Sequence, residues 1–354
     1  MRTNPQRNTP LAYWLGMQFP MRSRPFLLVT SIAALCGTAF AADVPAAKPA
    51  APVAPKTDAP AKPTIAPTFA NVAYGTHERQ VLDFYQAKST RPTPLLFFIH
   101  GGGWVSGDKG FTKNPGTLKQ CLDAGISVVS INYRYSWQAQ IAGVKPPVKA
   151  PLEDAARALQ FVRSKAKEWN IDKVRIGASG GSAGACSSLW LAFHNDMADP
   201  KSSDPIARES TRLWCAAVIG AQTSLDPKQL KEWTPNSRYG GHAFGFMDPN
   251  DPKTRDTRFA EFLAHREEVL PWIREYSPIE HVTSDDPPVY LIYSSAPALG
   301  EPQTDPTHTA NYGVKLQEKC KSVGVECELV WPGAPDVRHA NVDAYLIERL
   351  KAAK

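Results

Sequence analysis

Val174-Arg175-Ile176-Gly177-Ala178-Ser179-Gly180-Gly181-Ser182-Ala183-Gly184-Ala185-Cys186 is the stretch on which the reading of this chain turns. A short apolar run, Val174 to Ile176, feeds a glycine-rich turn, and small residues continue from Ala183 in a segment able to form a helix. A strand that turns sharply into a helix across Gly-x-Ser-x-Gly holds its serine side chain out at the apex. Such a turn needs small residues two before and two after the serine, because it is so sharp that a Cβ there would clash with strand or helix. Gly180 and Gly184 stand at those positions around Ser182. The pattern also fits one frame earlier, Gly177 to Gly181 around Ser179, but the helix would then open on Gly180 and Gly181 and soon meet Gly184, all poor helix formers. Ser182 is therefore the expected nucleophile, and Ser179 a loop residue supporting the turn.

Upstream, the apolar run Leu95 to Ile99 ends in His100-Gly101-Gly102-Gly103-Trp104. An ordinary strand-to-loop turn needs about one glycine. Three in succession let another group approach the backbone closely. The N–H groups of Gly102 and Gly103, with that of Ala183 at the start of the helix, can converge on a carbonyl oxygen as it gains negative charge, each such donor lowering the barrier by roughly 3 kcal/mol. His100 is expected to hold this loop without transferring protons. Trp104 is expected either to line a pocket or to pack in the core.

Around these two turns the chain alternates short apolar runs with amphipathic segments, which predicts an α/β fold with a mostly parallel sheet. Strands are expected at Leu95 to Ile99, Ile126 to Asn132, Val174 to Ile176, Ala216 to Ile219, Val289 to Tyr293 and Cys327 to Val330. Helices are expected over Thr112 to Ala124 and Pro151 to Trp169, the second with Pro151 in its first turn and an apolar face of Leu159, Phe161 and Val162. Asp108 and Asp154 are read as loop and helix-start residues, and Asp172 as a turn residue. The long segment between Ile219 and Val289, with Trp233, Phe244, Phe246 and a helix near Phe259 to Trp272, is expected to be a cap inserted over the site.

Composition narrows the function. The 354 residues are 43% hydrophobic, enough for a sizeable core. Met21-Arg22-Ser23-Arg24, an apolar run from Phe26 to Cys36 and Ala39-Phe40-Ala41 have the form of a signal peptide cleaved after Ala41. Residues 1–41 are thus a leader. Residues 42–68, rich in proline and alanine, form an expected extended linker, and 69–354 the catalytic domain. Secretion or a periplasmic location follows, with no stable membrane span after cleavage. Arg2, Arg7, Arg22 and Arg24 account for most of the net charge of +6; without them 36 basic side chains face 34 acidic ones, a net +2. No basic face or aromatic-interleaved stripe points to nucleic acid. Five cysteines beyond the leader are too sparse for a disulfide framework; buried free thiols are the expected state, with a Cys320–Cys327 bridge as the alternative. No metal-binding spacing occurs, and no cofactor is expected.

Together with these turns, Gln80-Val81-Leu82-Asp83-Phe84-Tyr85, Gly107-Asp108-Lys109, Asn132-Tyr133-Arg134, Arg175-Ile176, Ser277-Pro278-Ile279 and Asp286-Pro287-Pro288 resemble the esterase and lipase branch of the α/β-hydrolases, over roughly residues 70–350. The feruloyl-esterase-like members are closer than the hormone-sensitive-lipase-like ones, because only the linker precedes the first strand, where the latter carry an N-terminal cap. The resemblance implies a general base after the last strand, and His339 is the histidine beyond Val330; His308 is read as a rim or surface residue. It also implies an acid just after the Val289–Tyr293 strand. Ser294 to Gly300 contains none, so Asp305, reached by an extended loop, is the expected acid and Glu301 its rival. The activity implied is hydrolysis of short-chain or carbohydrate-linked carboxylic esters through an acyl-enzyme, the partner being a small-molecule or polysaccharide-linked ester. A peptidase of the same fold and a catalytically inactive binding protein are the alternatives; hydrolysis of simple nitrophenyl esters, and its loss with Ser182, separates them.

Overall fold

A computed structural model describes residues 65–110 and 115–352. The leader, and the linker up to residue 64, lie outside the described residues. Strands β1 (Phe69–Ala73), β2 (Val81–Tyr85) and β3 (Thr93–Ile99) lead to helix α1 (Pro115–Asp123) and strand β4 (Ser127–Ile131). Helices α2 (Ser136–Ile141) and α3 (Lys149–Ser164) precede β5 (Ile171–Gly181), α4 (Ala183–Phe193) and β6 (Cys215–Ile219). Then come α5 (Pro227–Trp233), α6 (Phe259–Ala264), α7 (Arg266–Tyr276), β7 (Val289–Ile292), α8 (Asn311–Val323), β8 (Cys327–Val330) and α9 (Val342–Lys351). The eight strands lie in the order β1-β2-β4-β3-β5-β6-β7-β8. Only the β1–β2 and β2–β4 pairs are antiparallel. The rest of the sheet is parallel, which is the α/β-hydrolase architecture expected from the sequence.

Strand alternation builds two cores, one on each face. Along β3, Leu95, Phe97 and Ile99 join one apolar cluster while Leu96 joins the other; Val289 and Leu291 of β7 divide from Tyr290 in the same way. Successive strand side chains point to opposite faces, so the clusters lie on opposite sides of the sheet. Helices α3, α4 and α8 cover the larger cluster, and α1 and α9 the smaller. Helix α4 is buried at every position, Ala183 through Phe193, because small residues let it lie close against the sheet.

Boundaries differ from expectation where tertiary contacts extend or cut an element. Strand β5 starts at Ile171, which pairs with Thr93 across a register shift. Helix α3 begins two residues before Pro151, leaving the proline in the first turn, and closes at Ser164, where Lys165 N–H bonds the carbonyls of both Phe161 and Val162. The helix expected near Phe259 to Trp272 breaks at His265 into α6 and α7. Cys121, Cys186, Cys215, Cys320 and Cys327 are all free thiols, so the Cys320–Cys327 bridge is not formed. Asp154 is more than a helix-start residue. Almost fully buried, it pairs with Arg134 at 2.6 Å and accepts from Gln80 Nε2 at 2.7 Å, tying α3 to the segments after β1 and β4.

Candidate active site

The strand order reverses at β3, which lies between β4 and β5, and ligands of open parallel sheets bind beyond the carboxyl ends of strands at such a switch point. Ile99 pairs with Gly180, so the turn leaving β3 and the turn leaving β5 emerge side by side. Ser182 sits between β5 and α4 with φ 55° and ψ −123°, a left-handed backbone that a serine adopts only when its surroundings impose it. The flanking glycines are steric necessities. A Cβ on Gly180 would lie 2.3 Å from the Ile99 carbonyl oxygen, and one on Gly184 would lie 2.1 Å from the same atom. Ser182 N–H bonds the Ile219 carbonyl at 3.0 Å, which anchors the turn to β6. Ser179 is inside β5, its Oγ donating to the Ala217 carbonyl at 2.6 Å, so it belongs to the sheet and not to a loop.

The residue that meets Ser182 is His308. Its Nε2 lies 2.9 Å from Ser182 Oγ, and its Nδ1 lies 2.8 Å from Asp305 Oδ2. Asp305 also accepts from the backbone N–H groups of Thr307 and His308. Burial pushes its carboxyl up, but the His308 bond and charge, with those backbone bonds, outweigh it and hold the carboxyl below the usual range. An ionised Asp305 fixes the tautomer with hydrogen on Nδ1, leaving the Nε2 lone pair to accept from the Ser182 hydroxyl.

The structure therefore brings together Ser182 and Asp305 and does not bring in His339. His339 is buried, with Nδ1 2.6 Å from Glu328 and Nε2 3.1 Å from Glu348. Tyr290 donates to its carbonyl, and the Tyr345 ring lies edge-on to its imidazole. Both ring nitrogens are committed to fastening β8 to α9. Glu301 lies on the exposed part of the β7–α8 loop, and its carboxylate makes no contact with His308.

That loop is long but braced. Gln222 Nε2 donates to the Thr307 carbonyl at 2.7 Å. Asn236 exchanges bonds with the backbone of Gln303. Asn311 Nδ2 donates to the carbonyls of Trp233 and Ala298, and its Oδ1 accepts from Ala298 N–H. The bracing residues Gln222, Trp233 and Asn236 lie in the segment between β6 and β7, which makes that segment part of the site's support.

On the other side of Ser182, the His100–Trp104 turn is held as expected. His100 stacks on Tyr133 with ring centroids 4.3 Å apart, and its Nδ1 bonds the Gly101 carbonyl at 2.7 Å. Burial lowers the imidazole to about 4, so it is neutral at ordinary pH. Tyr133 Oη donates to the His100 carbonyl, and Arg79 bridges the Tyr133 and Gly107 carbonyls. Neither Arg79 nor Tyr133 stood out in the sequence as a support of this turn. Trp104 has no exposed surface and donates to Ser187 Oγ at 3.0 Å, so it packs in the core. Among the described residues, the N–H groups of Gly102, Gly103 and Ala183 donate to no backbone carbonyl. Three free donors thus flank a serine whose proton has an acceptor, an arrangement able to attack a carbonyl and hold the resulting oxyanion.

The family described as BD-FAE matches this chain over residues 82–301, more than half its length. That match contains Ser182 and the glycine turn and stops short of Asp305 and His308. Esterase LipC of Mycobacterium tuberculosis is 26% identical over 240 residues, 63% of this chain and 50% of that protein. The chain spans half or less of the length of such curated relatives. Among solved structures, an acetyl ester-xyloside bifunctional hydrolase from Caldicellulosiruptor lactoaceticus aligns with a TM-score of 0.52 at 26% identity, over 77% of this chain and 84% of that one. A truncated carbohydrate esterase from gut microbiota aligns with a TM-score of 0.57 at 20% identity, over 80% and 96% of the two chains, a likeness of fold.

Proposed function

The chain belongs to the BD-FAE family, and from that premise we propose that it is a serine carboxylic ester hydrolase with Ser182 as nucleophile, His308 as general base and Asp305 as the orienting acid. The observation that carries the proposal is the unbroken path Ser182 Oγ, His308 Nε2, His308 Nδ1, Asp305 Oδ2, with contacts of 2.9 and 2.8 Å. His308 takes the Ser182 proton as Oγ attacks the ester carbonyl. The N–H groups of Gly102, Gly103 and Ala183 hold the oxyanion, aided by the positive end of α4. His308 then protonates the leaving alcohol, and water repeats the sequence on the acyl-enzyme.

Short-chain acyl esters, including those linked to carbohydrate, are the proposed substrates. Support comes from the acetyl ester-xyloside hydrolase, at 26% identity, and from a leader at residues 1–41 that suits export to where such polymers occur. The direct test is hydrolysis of 4-nitrophenyl acetate and butyrate. The unmodified chain should turn both over, and Ser182→Ala should reduce kcat by about 10⁴-fold or more. Activity that survives Ser182→Ala would exclude the acyl-enzyme mechanism.

A further inference from the structure

The segment between β6 and β7 does more than brace the acid loop: it lays a cation on the glycine turn. Gly103 has φ 62°, and the place its Cβ would take lies 2.2 Å from Arg255 Nη1. The positive φ favours glycine here, and the missing Cβ leaves the space that the end of the guanidinium occupies. Arg255 uses its Nε to bond Asp256 Oδ2 at 3.1 Å and lies over the Tyr239 ring, 5.9 Å from its centroid. Nη1 and Nη2 have no acceptor among the described residues, although the side chain is only 32% exposed. Beside it, His242 is fully buried and its Nδ1 faces Asp256 Oδ1 at 3.8 Å, so Asp256 is held between the imidazole and the guanidinium. Largely enclosed polar groups are normally satisfied, so the two unfilled guanidinium nitrogens against the glycine turn mark where a ligand's acceptor atoms belong.

We propose that Arg255 is a specificity-determining residue that binds a carboxylate carried by the substrate, so that the enzyme favours esters bearing a free carboxyl group. Asp256 holds the Nε edge of the guanidinium and leaves the Nη1–Nη2 edge, a fork whose geometry fits the two oxygens of a carboxylate. The position suits recognition and not chemistry: Arg255 sits on the turn that offers the oxyanion donors, and the attacking pair Ser182–His308 is complete without it. The inference rests on the ester-hydrolase reading for its meaning, but its test does not require turnover.

In the Ser182→Ala protein, calorimetry should detect monomethyl adipate binding about tenfold more tightly than methyl hexanoate, its uncharged counterpart, as expected for a charge-assisted bidentate contact. Adding Arg255→Gln should abolish that difference, while Arg255→Lys, which keeps charge without the fork, should retain part of it. A melting curve for each variant separates loss of binding from loss of fold. In the active protein the same ratio should appear between 4-nitrophenyl hydrogen adipate and 4-nitrophenyl hexanoate, chiefly in KM. Equal binding of the two methyl esters, binding of neither, or a preference that Arg255→Gln leaves intact would overturn the proposal. Failure to hydrolyse 4-nitrophenyl hexanoate would instead count against the ester-hydrolase reading and leave the binding result standing.

Discussion

His308 and His339 both touch a carboxylate, and their surroundings give them different work. His308 is partly exposed and reaches the Ser182 hydroxyl; His339 is enclosed by Glu328, Glu348 and two tyrosines. His308→Ala should lower kcat on 4-nitrophenyl acetate by about 10³-fold or more with little change in melting temperature. His339→Gln should leave kcat near its original value but cost about 1–2 kcal/mol of stability, because buried Glu328 Oε2 loses its shortest bond and keeps only the longer Arg338 contact. Comparing kinetics and urea denaturation of the two variants tests both statements. Two other histidines tie stability to pH. Burial lowers His100 from 6.5 to about 4 and His242 from 6.5 to about 3, so the folded state binds fewer protons than the unfolded chain below pH 6.5. Their contribution is fully present above that value and is lost as pH falls toward the folded values, by up to about 1.4 kcal/mol per pH unit for each group. His242→Leu should therefore lose less stability than the unmodified chain between about pH 7.5 and about pH 5, measured by urea denaturation.

At the scale of elements, the site is a meeting of three turns, each controlled differently. The β5–α4 turn is set by sterics, since Gly180 and Gly184 both pass against the Ile99 carbonyl. Gly184→Ala should force strand and helix apart, with a loss of more than about 2 kcal/mol and of most esterase activity, read from denaturation and initial rates. The turn after β3 is set by polar contacts of Arg79, His100 and Tyr133. The β7–α8 loop is set by side chains reaching in from elsewhere, above all the fully buried Asn311. Asn311→Ala removes those bonds; it should cost about 1–3 kcal/mol and lower kcat more than it raises KM, because the loop that aligns Asp305 and His308 loses its brace.

At the scale of the described domain, the mostly parallel sheet with helices on both faces places the three turns of the site at the carboxyl ends of its strands, and the segment between β6 and β7 contributes both support and a cation. Export is the reading of the N-terminal sequence. Amino-terminal sequencing of the protein recovered from the extracytoplasmic fraction should begin at Ala42; recovery of the intact leader in the cytoplasm would reject it.

What could be read from the residues alone was local. The alternation of apolar runs reports burial on a sheet, and the β5–α4 turn announces itself because van der Waals radii demand glycine at fixed offsets from Ser182. The triple glycine after β3 carries the same kind of signal, and Asp305 was reached by resemblance across an extended loop. The proposed base was not legible. Chain order pointed to a histidine after the last strand, but hydrogen bonding depends on where a side chain arrives, and only the folded β7–α8 loop brings His308 to Ser182 while Glu328 and Glu348 take His339 away. Arg255 was hidden for the same reason: its meeting with Gly103 joins residues far apart in sequence, and no local pattern encodes a contact that exists only after packing.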